Sequence, residues 1–369
     1  MGQNEILKGI NSEMLKSIVV KVLEDDSIEI INWSSEILSG GTIGDVFLIK
    51  GTCIKNTMSE LNSETSSCIE WSVILKILKE RTRFGDPESW SREVKMYQSD
   101  IFNNLSSNIR VPKCLSISKN ENNEIWLWME HVNGKTGNEL SLDDYGLVSR
   151  HLGELQGRYM QGDNLPKQSW LSTEFLATSQ VVMWGTPAIS WLLSNEFNPE
   201  ECGLNSEILQ KVIKLWSERD IFINVLNKLP KTLCHRDFNP GNMVVEKDIN
   251  GIEKVVLFDW DCTGIGVIGE DIADLFMETL VFYDYDIDKA YELRETILEN
   301  YLSGLASVGW EGNREEIRIA FDLVIALHWT FRLICRTEDT DDSNVINRYS
   351  DVLSFILERI EEVREFIQR

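Results

Sequence analysis

The sequence predicts an α+β fold in two lobes, a β-rich N-terminal lobe over residues 1–132 and a mainly helical C-terminal lobe over 133–369. Three observations predict it. Apolar runs of β type crowd the first third of the chain. Helical periodicity dominates the remainder, and a single β hairpin with polar residues gathered at its base interrupts it. The 369 residues suffice for two lobes, and 43% apolar with 26% charged content is that of an ordinary globular protein.

The elements follow in order. Residues 4–24 read as a short amphipathic helix. β chemistry occupies 28–50, with SIEIINW, a glycine cluster and VFLIK. The polar stretch Asn56 to Ser67 is expected as a loop insertion, because about 30 residues separate Val46 from Lys76. A second β run covers 71–79, and the charged stretch 88–103 reads as helix with Glu93 near its middle. The strand IWLWMEHV over 125–132 ends at Asn133-Gly134, taken as the lobe boundary. Ser141 and Asp144 give a capping-box start, after which Tyr145, Val148, Leu152, Leu155 and Tyr159 form one helical stripe. Similar periodicity runs through 206–228, 314–335 and 345–367, and in the last Tyr349, Val352, Ile356, Ile360, Val363 and Ile367 line one face. The hairpin strands are NMVVEK and EKVVLFDW, with Asn250-Gly251 in the turn.

Charge and cysteine usage bound the function. The net charge is −24, from 36 basic and 60 acidic residues. Such a chain repels phosphate backbones and anionic membranes, so no nucleic-acid or membrane partner is expected, and a cationic substrate is favoured over an anionic one. The seven cysteines are scattered and contain no C-x-x-C pair, which fits reduced thiols and excludes a disulfide scaffold or a zinc site of that type. The first 26 residues read as neither signal peptide nor membrane anchor, and a cytoplasmic location is expected.

The chemistry concentrates in His235-Arg236-Asp237-Phe238-Asn239-Pro240-Gly241-Asn242, which ends directly at a strand, and in Phe258-Asp259-Trp260-Asp261 across the hairpin. Phosphoryl transfer needs a carboxylate to take the proton of the attacking hydroxyl. It also needs a carboxylate and an amide to hold a metal, all on one rigid support. An Asp five residues before an Asn, with a second Asp returning beside it, supplies that set. Taken singly these are ordinary turn residues; their compound order is what points to chemistry.

These segments resemble the catalytic loop and metal segment of the aminoglycoside phosphotransferase and choline kinase superfamily, small-molecule kinases of protein-kinase-like fold. Gly269-Glu270-Asp271-Ile272-Ala273-Asp274-Leu275 resembles the stretch that follows the family's metal aspartate. The resemblance implies Asp237 as catalytic base, Asn242 and Asp259 as Mg²⁺ ligands and Asp274 as a structural acid, with ATP or GTP as donor. It implies a phosphotransferase with an alcohol group as acceptor. The acceptor would be an aminoglycoside-like or other antibiotic or natural product, with antibiotic resistance as one role. A metabolic or biosynthetic kinase for a choline-like, sugar or amino-alcohol substrate or a peptide Ser/Thr is the alternative. A nucleotide-binding pseudokinase scaffold is the alternative of another class. Asp261, Glu270 and Asp271 are the candidates to face a cationic acceptor. The sequence leaves the oligomeric state open.

The N-terminal half fits the same frame. Ser39-Gly40-Gly41-Thr42-Ile43-Gly44 fits a phosphate-cradling glycine loop in which Gly41 and Gly44 let backbone N–H groups approach. Lys76 is a lone cation in the apolar strand VILKIL and demands a partner. Glu93, 17 residues on, is that partner in the arrangement by which a strand lysine reaches the α- and β-phosphates, whereas Lys79 at the strand's end suits solvent. Met129-Glu130-His131-Val132 looks like the hinge whose backbone, at Glu130 and Val132, meets a purine ring. Asp259-Trp260-Asp261 replaces D-F-G and no A-P-E follows, which disfavours a protein kinase with an activation loop.

Overall fold

The computed structural model describes residues 9–38, 44–57, 65–82, 85–120, 122–161, 164–173, 181–194, 197–199, 203–247 and 250–367. The chain divides into two compact units. One comprises Met1–Arg83, Pro87–Asp100 and Val111–Asn133; the other comprises Phe84–Asp86, Ile101–Arg110 and Gly134–Arg369.

The first unit is built on an antiparallel sheet. Its strands lie in the order β1 (Ile28–Ile37), β2 (Gly44–Thr57), β3 (Thr65–Leu78), β6 (Ile125–Glu130), β5 (Cys114–Lys119). Strands β2 and β3 form one long hairpin paired from Gly44↔Leu78 to Thr57↔Thr65. The stretch expected as a loop insertion is therefore strand at both ends, and residues 58–64 lie outside the described residues. Its polarity suggested a loop, but Thr is a good strand former and continuous backbone pairing decides the matter. The extension keeps Val46 directly opposite Lys76.

Phe47 and Ile49 of β2 and Val73, Leu75 and Ile77 of β3 alternate onto one face. There they meet Leu15, Ile18 and Val19 of the helix Ser12–Leu23. That helix begins at Ser12, where Asn11 caps it by accepting from Met14 N at 2.8 Å, and residues 4–8 of the expected span lie outside the described residues. On the other face Leu78, Leu127 and Met129 pack with Val94 of the helix Ser89–Gln98. Cover on both faces explains why β3 reads as a nearly continuous apolar run.

In the second unit, Ser141 and Asp144 form the expected capping box on the helix Leu142–Met160. This helix lies against Ala290–Ser307 with Gly153 and Gly304 at the crossing, where a Cβ on either would collide with the other helix's backbone. The helices Ser206–Lys228 and Ser343–Ile367 match their expected spans, and Tyr349, Val352, Ile356, Ile360 and Val363 are buried as the stripe requires. The stretch expected as one helix over 314–335 is Arg314–Val324, a π-turn at Ile325–Trp329 and Thr330–Glu338. Two small ladders complete the unit. In one, β8 (Met243–Lys247) pairs with β9 (Glu253–Leu257), to which β4 (Ile109–Arg110) adds in parallel; in the other, β7 (Lys231–Cys234) pairs with β10 (Gly264–Val267). The β8–β9 hairpin is the expected one, with Gly251 at φ 77° in its turn. Among the described residues the cysteines are free, and no helix is long and apolar enough to cross a membrane.

Candidate active site

The motif 235–242 lies between β7 and β8 and is knitted by its own side chains. Asn239 Nδ2 donates to Asp237 Oδ1 at 3.1 Å, and Asn242 Nδ2 donates to Asp237 O at 2.9 Å. Asn239 also caps the short turn Pro240–Asn242, its Oδ1 accepting from Gly241 N at 2.9 Å. Tyr283 OH donates to that same Oδ1 at 3.3 Å. His235 Nε2 donates to Phe258 O at 3.1 Å while Nδ1 accepts from Asp237 N at 3.3 Å, a pattern assigned to the neutral Nε2–H tautomer. The Asp237 carboxylate is thereby held in part by a neighbour two residues away.

Beneath the loop lies a buried carboxylate support. Asp271, in the first turn of the helix Glu270–Phe282, accepts His235 N at 2.9 Å, Arg236 N at 2.8 Å and Gln156 Nε2 at 2.8 Å. Glu270 accepts Arg236 Nε at 2.9 Å and Val267 N at 3.1 Å. The Arg236 guanidinium also donates to Ser172 O and Ile265 O. A helix N-terminus favours both carboxylates. Burial pushes the Asp271 carboxyl up to about 7, against the pull of the backbone donors of Arg236 and His235. Arg236 itself sits at φ 65°, a left-handed conformation costly for any residue with a Cβ and held here by these bonds.

The far wall is the base of the hairpin. Phe258 N donates to Asn242 O at 3.1 Å, which brings the residue after Phe258 beside Asn242. Asp259 follows at φ 65° and ψ 58°, a second left-handed residue. Asn242 Nδ2 donates to Asp237 O, so Oδ1 is the atom of this amide with the chemistry to accept a hard cation. Among the described residues no group of three or more His, Cys, Asp or Glu could cage a metal. An amide oxygen and a carboxylate instead fit Mg²⁺, which takes one or two protein ligands and completes its shell with phosphate oxygens and water.

In the first unit Lys76 Nζ donates to Glu93 Oε2 at 2.7 Å, with both side chains buried. Lys79 instead pairs with Asp45 at 2.7 Å and is half exposed. Gly44 opens β2 so close to Ile77 O that no Cβ would fit, while Gly41 lies outside the described residues. Glu130 ends β6; its N donates to Lys113 O at 3.0 Å and its Oε2 accepts Lys113 N at 2.9 Å. Val132 follows in partly exposed, non-regular chain.

Two of the three acids expected to face substrate support the loop instead. Glu270 and Asp271 are 4% and 0% exposed and their oxygens are engaged as described, so they support the loop and cannot meet an acceptor. Asp261 is buried as well, with Trp260 and Cys262. Asp274 is buried and accepts Trp329 Nε1 at 3.2 Å. Burial pushes its carboxyl up to about 7 and His328, 3.4 Å away, down to about 3, so that imidazole is neutral. Sequence reasoning missed Gln156, which donates to Leu233 O and Asp271 and accepts the Tyr301 hydroxyl. It also missed Asn239 and Tyr283; the first stands inside the quoted motif and could have been found there.

The geometry can be set beside known proteins. The fold is similar to that of a choline kinase from Cryptosporidium parvum Iowa II, with 15% identity, TM-score 0.54, and 96% of this chain and 97% of that one covered. An amicoumacin kinase solved with AMP-PNP, Ca²⁺ and its ligand matches at 15% identity and TM-score 0.52, over 98% and 96% of the chains. An APH(2″) enzyme in complex with GDP and kanamycin matches at 12% identity and TM-score 0.56, over 94% and 98%. The architecture is thus the α+β, protein-kinase-like fold of small-molecule kinases. No curated protein sequence matches the chain. The sequence profile of the phosphotransferase enzyme family matches residues 69–312, roughly two-thirds of the chain and including the loop, the hairpin and the supporting helix: this protein belongs to that family and is a phosphotransferase.

Proposed function

We propose that the protein transfers the γ-phosphate of ATP or GTP to a hydroxyl of a small molecule, an antibiotic-like natural product or a metabolite, in the cytoplasm. One observation carries the reading. The Asp237 carboxylate accepts from Asn239 Nδ2, Asn242 Nδ2 donates to Asp237 O, and the backbone bond from Phe258 N to Asn242 O brings Asp259 beside Asn242. Asp237 accepts the proton of the acceptor hydroxyl as that oxygen bonds to the γ-phosphorus. The bond to the β–γ bridging oxygen breaks, and a nucleoside diphosphate leaves. Asn242 and Asp259 would hold Mg²⁺, which when bound neutralises phosphate charge. Lys76, kept straight by Glu93, would touch the α- and β-phosphates. In this reading the N-terminal lobe, 1–132, positions nucleotide, and the C-terminal lobe, 133–369, carries the base, the metal ligands and the acceptor site. The test is Mg²⁺-dependent consumption of nucleoside triphosphate, followed by transfer of labelled phosphate to a panel of hydroxyl compounds. Nucleotide binding without any turnover would favour a scaffold instead.

A further inference from the structure

The class of acceptor can be inferred from a cluster beside the catalytic loop; the inference rests on the kinase reading and deepens it. The helix Glu270–Phe282 presents Asp274, Glu278 and Phe282 at four-residue steps, one stripe of its surface. Trp329, Arg332 and Arg336 stand against that stripe as three rungs. Trp329 bonds to Asp274. Arg332 Nη1 donates to Glu278 Oε1 at 2.9 Å, and its guanidinium lies 4.3 Å from the Trp329 ring and 5.5 Å from that of Phe282. Arg336 lies 4.6 Å over Phe282.

The first two rungs are closed by hydrogen bonds and the third is open. Among the described residues Arg336 has no ion-pair or hydrogen-bond partner, and the Nε atoms of both arginines are buried without one. Two guanidiniums thus share one carboxylate. Burial pushes the Glu278 carboxyl up, against the pull of Arg332, which weakens it as a counter-ion. An uncompensated cation in a half-buried setting is costly to keep for stability alone. A guanidinium stacked on a ring keeps its N–H edge in plane, and that edge matches the two oxygens of a carboxylate or phosphate. The open rung also adjoins the chemistry. Phe282 is followed by Tyr283, whose hydroxyl holds Asn239, which holds Asp237.

We infer that Arg336, with Arg332, binds an anionic group of the acceptor, a carboxylate or a phosphate, and so presents the acceptor hydroxyl to Asp237. This reverses the cationic acceptor expected from net charge. The −24 is distributed over the chain and screened beyond about 8–10 Å in physiological salt, whereas two guanidiniums act at contact.

The test is saturation-transfer NMR on the full chain with Mg²⁺ and AMP-PNP, titrating glycerol, D-glycerate, sn-glycerol 3-phosphate and ethanolamine. An anion should bind best, and the better of D-glycerate and glycerol 3-phosphate distinguishes carboxylate from phosphate. Arg336→Gln should weaken that anion by about 10-fold or more, as loss of a charge-assisted bond predicts, while Arg336→Lys should retain part of the affinity. Glycerol or ethanolamine binding as well as either anion, or anion affinity unchanged in Arg336→Gln, would overturn the inference. Nucleotide consumption by the unmodified chain, measured alongside, tests the kinase reading separately.

Discussion

At the scale of single residues, the proposed chemistry turns on which atoms are held and by what. Asp259 is one carboxylate at a bend in a left-handed conformation. Replacing it by Ala should weaken Mg²⁺-dependent nucleotide binding by about 10-fold or more, since even indirect partners of a metal matter on that scale. A calorimetric titration of Mg²⁺ and nucleotide with unchanged dependence would move the metal to another acid. Lys76 and Glu93 are a buried pair, and breaking it leaves a bare charge inside. Lys76→Ala should cost about 3–5 kcal/mol in denaturant unfolding, and the double change Lys76→Met with Glu93→Leu should cost less than the single one. Equal losses would mean that packing, not charge, dominates there. This pair was legible in the sequence because a lysine in VILKIL has to find a carboxylate. The Asn239–Tyr283 contact was not legible: its partners are 44 residues apart and neither belongs to a periodic pattern.

At the scale of elements, the helix Glu270–Phe282 holds the loop 235–242 through its first turn. The acids Glu270 and Asp271 read in the sequence as candidates to face a cationic acceptor. Their burial is set by Arg236, some 34 residues earlier, and by backbone N–H groups that no composition reveals. Asp274 in the same helix provides a pH test. Its pKa, raised by burial to about 7 from an ordinary 3.8, means the folded state holds a proton between those values that the unfolded state has lost. Its contribution to stability is therefore full below about pH 4 and falls as pH rises toward 7. Asp274→Asn, which cannot ionise, should gain stability relative to the unmodified protein as pH is raised from 5 to 8 in thermal unfolding; a constant difference would contradict the shift. The capping box was fully legible, and Ser141→Ala should cost about 1 kcal/mol by denaturant unfolding. The π-turn at Ile325–Trp329 was not legible, because one residue inserted into a helical stripe leaves its apolar pattern nearly intact.

At the scale of the whole molecule, the α+β class was readable because period-two and period-3.6 patterns separate cleanly along the chain. The length of the β2–β3 hairpin was not, since polar strands and polar loops share a composition. The compound motif was readable because its residues lie close in sequence, whereas the cluster around Arg336 draws on two helices more than 40 residues apart and needed the fold to assemble it. The central claim is that Asp237 accepts a proton during phosphoryl transfer. The most direct measurement compares the unmodified protein with Asp237→Asn in phosphoryl transfer from labelled nucleoside triphosphate and Mg²⁺, with nucleotide affinity measured on both. The account predicts that transfer falls by about 10²–10⁴-fold while nucleotide affinity and thermal stability stay near their original values. Turnover preserved in Asp237→Asn would contradict it.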